Sequence, residues 1–249
     1  MIQDLHAHTY YSFCSSDTPE SVIQAAILGG VQQLGFCDHN YGIGCARTDF
    51  CYDKGPRRDA DYGKTLVRYY DHMKAMQEKY RNKIKILCGI EVCTLVTRDS
   101  YALPENADIS FFDFCLVENL DDPRSFLKGD IFSFAKKCGC PVGIAHTDLF
   151  AFIRSIGEDP YRFLKKMAEH KIFWELNVNY DSVHSFKQHA YVAEFFKNKE
   201  QQEMIKKSGV RLSVGFDCHN AKEYKPDRVK SACKLVQGMG IRLVFEHLS

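Results

Sequence analysis

The chain lacks most of what marks a secreted, membrane-bound or nucleic-acid-binding protein. No apolar run approaches the ~20 residues that span a bilayer. The first residues, MIQDLHAHT, are polar and acidic where a leader peptide would be basic and then apolar. An excess of one charge is missing too. Lys and Arg number 33 against 32 Asp and Glu, a formal net charge of +1, and no basic stripe accompanies them. That balance argues against nucleic acid or an anionic membrane as partner. There is no internal repeat, low-complexity tract or Pro/Ser-rich linker, so residues 1–249 are expected to form one domain around one core. Cysteine, in contrast, is plentiful. The count of 11 is odd, and Cys37, Cys88 and Cys115 lie inside apolar runs. They read as buried thiols of a reducing cytoplasm rather than a disulfide scaffold. Cys138 and Cys140 lack CxxC spacing and a second pair, so they weigh little as a zinc site.

Short apolar runs alternate with helical patterns. Strands are expected at 2–6, 33–38, 84–91, 111–117, 141–146, 172–177 and 210–216, with a weaker one at 241–245. Thr18-Pro19-Glu20 opens a helix that Gly29-Gly30 closes. Further helices are expected at 61–80 and near 123–138, 160–170, 188–208 and 227–238. Strands alternating with helices imply a parallel sheet closed into a β/α barrel or a distorted version of one. The longest stretch without periodicity, 42–63, follows a strand, where long loops usually cover an active site.

Metal-binding side chains cluster at one end of these runs. The sequences IQDLHAH, VQQLGFCDH, IKILCGIE, PVGIAH and VRLSVGFDCH each end on His, Asp or Glu. Such ends form the catalytic rim of a parallel barrel. His6 and His8, two apart on a strand, project to one face. Alone they are as well explained as a solvated HxH, and Asp217 as a helix cap beside a bystander His219. Glu91, inside a buried strand, needs a metal or a cation because an unpaired buried carboxylate costs several kcal/mol. Asp38-His39 and His146 end their runs in the same way. Imidazole with carboxylate suits zinc, manganese or iron.

The ordered set DLHAHTYYS, CDHN, GIE, AHTD and GFDCH, from Asp4 to about His219, resembles the PHP (polymerase and histidinol phosphatase) family. The resemblance implies a distorted seven-stranded TIM-like barrel with two or three divalent ions (Zn, Mn or Fe). It implies a phosphoesterase of the histidinol-phosphatase type, an enzyme of histidine biosynthesis acting on a small phosphorylated substrate. It also implies ligand roles. His6, His8, Glu91 and Asp217 would hold a first ion. Glu91 would bridge to a second, held also by His146 and a residue ending the 111–117 strand, and His39 and His219 would hold a third. Two positions depart from the family pattern. Glu118 stands at or near a usual histidine, adding charge and favouring harder ions. Cys14 stands where Asp or His is usual, with Asp17 nearby as the other candidate.

Phosphate needs cations around it. Arg154 resembles the family's phosphate-binding arginine, although it reads equally as a helix-surface residue. Lys54, Arg57 and Arg58 are a second basic source, in the 42–63 loop. Asn177 ends a strand and is a candidate substrate contact, while Trp174 reads as core. The expected reaction is attack by a metal-bridging hydroxide, with Asp38 or His219 as candidates for protonating the leaving alkoxide. His72, His170, His184, His189 and His247 are surface residues by default. Two alternatives stay open. One is an amidohydrolase-like metallohydrolase, although no lysine occurs in 107–118 to bridge metals. The other is a degenerate, non-catalytic metal-binding module.

Overall fold

Strand ends carry the chemistry, so the order and direction of the strands come first. The computed structural model describes residues 1–43, 62–95, 103, 107–127 and 130–246. Its strands are β1 (Gln3–Ala7), β2 (Gln33–Phe36), β3 (Lys85–Cys93), β4 (Phe114–Glu118), β5 (Val142–Ile144), β6 (Ile172–Asn177) and β7 (Leu212–Gly215). They form one sheet in sequence order, and each neighbouring pair is parallel. Beyond β7, Asp217 N donates to His6 O at 2.8 Å and His8 N donates to Cys218 O at 2.9 Å. Those bonds bring the last strand beside the first and nearly close a seven-stranded barrel. The β1–β2 register shifts between Asp4 and Ala7, a distortion at the end where two histidines leave the strand.

Helices α1 (Pro19–Leu28), α2 (Asn40–Ile43), α3 (Tyr62–Tyr80), α4 (Ile131–Cys138), α5 (Leu149–Ser155), α6 (Pro160–Glu169), α7 (Ala190–Lys197), α8 (Lys199–Ser208) and α9 (Pro226–Gly238) make up the rest. Thr18 caps α1 as its sequence predicts, accepting from Ser21 N at 3.2 Å. Capping also explains where expectation and structure part. The helix expected from 123 begins only at Ile131, because Asp130 accepts from Ser133 N and starts it there. The helix expected over 188–208 is two, since Asn198 ends α7 and caps α8 by accepting from Gln201 N. The weak strand at 241–245 is a single bridge from Leu243 to Leu212. Helices α2 and α5 are too short for a periodic signal; Asp148 caps α5 through Ala151 N.

Two apolar layers hold the barrel. The larger lies between sheet and helices, and the smaller fills the barrel with Leu5, Leu87, Phe114, Leu116, Phe173 and Val244. The rings of Phe114 and Phe173 lie over glycines. A Cβ on Gly35 would come within 2.8 Å of the Phe114 ring, one on Gly89 within 2.5 Å, and one on Gly143 would collide with Phe173. Large residues opposite glycines close the lower barrel with side chains, leaving the C-terminal strand ends as the polar end.

Candidate metal centre

Each strand delivers its polar residue at or just beyond its C-terminal end. His6 and His8 come from β1, Asp38 and His39 follow β2, and Glu91 and Glu118 lie in β3 and β4. His146 follows β5, Glu175 and Asn177 lie in β6, and Asp217 and His219 follow β7. Two of these residues hold left-handed backbone, His146 at φ 26° and Asp217 at φ 59°. Non-glycine residues adopt it at a cost of order 1–3 kcal/mol, which the surrounding structure has to offset. The turn it makes aims both side chains across the barrel mouth.

Glu91 is the hub. Its Oε1 lies 3.1 Å from His146 Nε2 and 3.3 Å from His6 Nε2. Its Oε2 lies 2.9 Å from His39 Nδ1 and 3.5 Å from His8 Nε2. Asp217 Oδ1 faces His8 Nε2 at 3.0 Å and His6 Nε2 at 3.3 Å. The two histidine Nε2 atoms themselves are 3.2 Å apart. His6 Nδ1 is bonded to Glu175 Oε1 at 2.7 Å, and Glu175 also accepts from His146 N at 3.0 Å. With Nδ1 engaged by that carboxylate, Nε2 is the His6 atom that faces the two carboxylate oxygens and is placed to ligate an ion. Gly215 makes this approach possible, because a Cβ there would strike both Glu175 and His6.

Such convergence of acceptors calls for a cation. Asp4, Asp38, Glu91, Glu118, Glu175, Asp181 and Asp217 are all buried, and no described Lys or Arg is buried with them. Glu91 Oε2, Glu118 Oε1 and His39 Nδ1 are buried and make no well-aligned hydrogen bond, although Nδ1 faces the two oxygens at 2.9 and 3.5 Å. Five overlapping groups among the described residues have ligand atoms within 4.8 Å of one another: His6–Glu91–His146, His8–His39–Glu91, His6–His8–Asp217, His8–Cys14–His219 and Asp181–His184–His219. Glu91 belongs to two of them. The donor set of imidazole, carboxylate and one thiol fits divalent ions of the zinc, manganese and iron kind.

The electrostatics follow from the packing. Burial, with His219 nearby, lowers His8 to about 3, so its ring is neutral and free to ligate. Burial also opposes the charge on His146, but its bond to Glu91 outweighs this and lifts it to about 9. In His219 the Asp217 charge likewise overcomes burial, lifting it to about 10. Burial and the Glu91 charge push Glu118 up. Burial pushes the Cys14 thiol up, yet hydrogen bonds with His219 and His39 bring it below its ordinary value.

Four expected site residues are placed elsewhere. Both oxygens of Asp38 are occupied: Oδ1 accepts from Thr9 N, Ser12 N and Ser12 Oγ, and Oδ2 from Thr9 Oγ1. It is fully buried, anchors the β1 loop and belongs to none of the ligand groups at the barrel mouth. Asp17 accepts from Ala221 N at 2.5 Å and is in none of the ligand groups. Asn177 is fully buried and ties Asp217 Oδ2 to the sheet at 3.2 Å, behind the ligands rather than toward a substrate. Arg154 lies exposed in the last turn of α5 and touches none of the clustered ligands. Lys54, Arg57, Arg58 and His247 lie outside the described residues. Glu118 faces His39 Nδ1 at 3.5 Å, so it reaches the cluster through His39.

Other residues join without having been expected. Glu175 could have been found, since a carboxylate inside the apolar run IFWELN carries the same signal as Glu91. His184 and His189, expected at the surface, face the site. His184 Nδ1 bonds Asp181 Oδ1 at 2.6 Å and its Nε2 lies 3.1 Å from Asp217 Oδ2. His189 stacks on His146 at 6.2 Å. The segment between β6 and α7 has no periodicity that could have announced them. Among the described residues, no helix is long and apolar enough to cross a membrane.

Comparison with known proteins places this geometry. A family model described as the PHP domain matches residues 4–237. The histidinol-phosphatase of Lactococcus lactis subsp. lactis (strain IL1403) is 25% identical over 114 residues, 46% of this chain. The matched segment spans 37% of that relative's own length. A crystal structure of histidinol phosphate phosphatase from the same organism, complexed with zinc, L-histidinol and phosphate, is similar with a TM-score of 0.59. That likeness covers 97% of this chain and 94% of the other at 18% identity, and it shows a shared fold.

Proposed function

Because the chain belongs to the PHP domain family, we propose that it is a metal-dependent phosphoesterase acting on a small phosphomonoester, with histidinol phosphate as first candidate. The observation that carries this reading is the convergence of imidazole nitrogens and carboxylate oxygens on Glu91, with no buried Lys or Arg among the described residues. His6, His8, Glu91 and Asp217, with His146, His39, Glu118, Cys14 and His219 around them, are the residues that would hold the ions. Divalent ions, when bound, supply Lewis acidity to the phosphoryl oxygens and make water nucleophilic near neutral pH.

The chain's own residues set up that chemistry. Glu175 fixes the His6 tautomer, and Asn177 with His184 engages Asp217 Oδ2, so that Asp217 Oδ1 is left facing His8. His184 is the candidate proton donor to the leaving alkoxide in place of Asp38. Burial works against its charge, but in the metal-free protein Asp181 and Asp217 lift it to about 9. The test is a phosphomonoester panel with zinc-, manganese- and iron-loaded protein beside metal-stripped protein. Turnover only when loaded, greatest with histidinol phosphate, is expected. Glu91→Ala should abolish it together with at least one metal equivalent. A loaded protein that hydrolyses no phosphomonoester would overturn the reading.

A further inference from the structure

Cys14 and Glu118 both neighbour His39. Cys14 shares a ligand group with His8 and His219, their ligand atoms lying within 4.8 Å of one another, and its thiol also interacts with the His39 ring. Glu118 faces the same ring through Nδ1, next to Glu91. One part of the cluster therefore offers sulfur and imidazole, and another offers two carboxylates with His39 and His146.

The loop that carries Cys14 is built to hold it there. Asp38 takes four hydrogen bonds from Thr9 and Ser12, and Ser12 Oγ accepts from His39 N at 2.8 Å. Gly42 lets α2 pack on this loop, because a Cβ there would come within 2.7 Å of Tyr11 O and 3.0 Å of Ser12 Cα. Phe13 stacks against His39 and lies tilted against Tyr41. Cys14 also differs from the other described cysteines, all of which are buried, whereas it is partly open to solvent. A thiol packed as filler would resemble those. This one is held among three imidazoles.

Thiolate and imidazole prefer zinc, whereas carboxylate oxygen favours manganese or ferrous iron. We propose that the centre is divided by metal type: Cys14, as thiolate, ligates a zinc ion with His8 and His219, while Glu91 and Glu118 make the adjoining site one for manganese or ferrous iron. The inference rests on the proposed metal-dependent activity but concerns which ion each residue selects. Binding at the sulfur site releases the Cys14 thiol proton to solvent, and no oxidant or reductant takes part.

Cobalt(II) reports the sulfur directly. The full chain is stripped with a chelator and reloaded with cobalt, and its near-ultraviolet spectrum is recorded. Wild type should show a thiolate-to-cobalt charge-transfer band, Cys14→Ser should lose it, and Glu118→Gln should keep it. Loading from an equal mixture of zinc and manganese should leave one zinc equivalent that excess manganese does not displace. Cys14→Asp should make that equivalent exchangeable. Iodoacetamide followed by peptide mapping gives a readout without a variant: Cys14 should be protected in the zinc-loaded protein and alkylated after chelation. A cobalt protein holding at least two equivalents without the band, or Cys14 alkylated equally in both states, would overturn the division and leave the phosphoesterase reading untouched. An intact band in a protein that hydrolyses no phosphomonoester would do the reverse.

Discussion

Asp38 and Glu91 carry the same functional group, end similar apolar runs and are both buried, yet they do different work. Glu91 keeps buried oxygen lone pairs directed at imidazole nitrogens, whereas both Asp38 oxygens are satisfied by Thr9 and Ser12. Asp38→Ala would strand two backbone and two hydroxyl donors. Each buried donor left unpaired costs about 1–3 kcal/mol, less where water enters, so an overall loss of about 3 kcal/mol is expected. Chemical denaturation measures it, and metal analysis should show weakened binding because His8 and Cys14 flank the loosened loop. A variant of unchanged stability that loses only the acid-dependent limb of its pH–rate profile would restore Asp38 as a proton donor. At this scale the sequence exposed residue type and burial, which suffices for Glu91. It did not expose hydrogen-bond partners, which is why Asp38, Asn177 and Asp17 changed roles.

Strands and their termini were legible because buried parallel strands read as short apolar runs and capping residues mark helix starts. All seven strong strand expectations correspond to strands, while 241–245 ends as one bridge at the barrel floor. What the runs do not announce is how neighbouring strands share space. Gly35 and Gly89 lie under the Phe114 ring, an arrangement visible only when β2, β3 and β4 stand side by side. Gly89→Val should therefore cost about 1–3 kcal/mol by overpacking. Phe114→Leu in the same chain should recover part of that loss, because it removes the ring the valine meets. Melting of the two single variants and the double variant checks this. Strict additivity would show that the ring is not what opposes a side chain at 89.

Across the whole molecule, the buried carboxylates and the imidazoles that face them make metal binding and stability depend on pH together. His146 at about 9 and His219 at about 10 lie above the ordinary histidine value of 6.5. In the metal-free protein their protonated rings stabilise the fold fully below 6.5, and that contribution is lost as pH rises through 9 to 10. An ion needs the lone pair that the proton occupies, so binding expels protons and affinity climbs through the same window. Melting of metal-free protein should fall between pH 7 and 10 while loaded protein changes less. Zinc added to weakly buffered apoprotein at pH 7 should release protons. A metal-free protein that becomes more stable over that range, or binding without proton release, would contradict the assignment of these charges.

By itself the sequence determined the elements, their alternation and the rim of imidazole and carboxylate at one end of the strands. Those follow from local patterns: apolar runs, caps, and charged residues too costly to bury unpaired. Only the tertiary structure decided which acceptors meet around a common centre. It brought β7 back to β1, so that Asp217 meets His6 and His8 across more than 200 residues of chain. It also turned the segment after β6 inward, making His184 and Asp181 partners of the site, and left Arg154 on the outside. Distances between side chains depend on closure and register around the whole barrel, and no local stretch of sequence encodes either one.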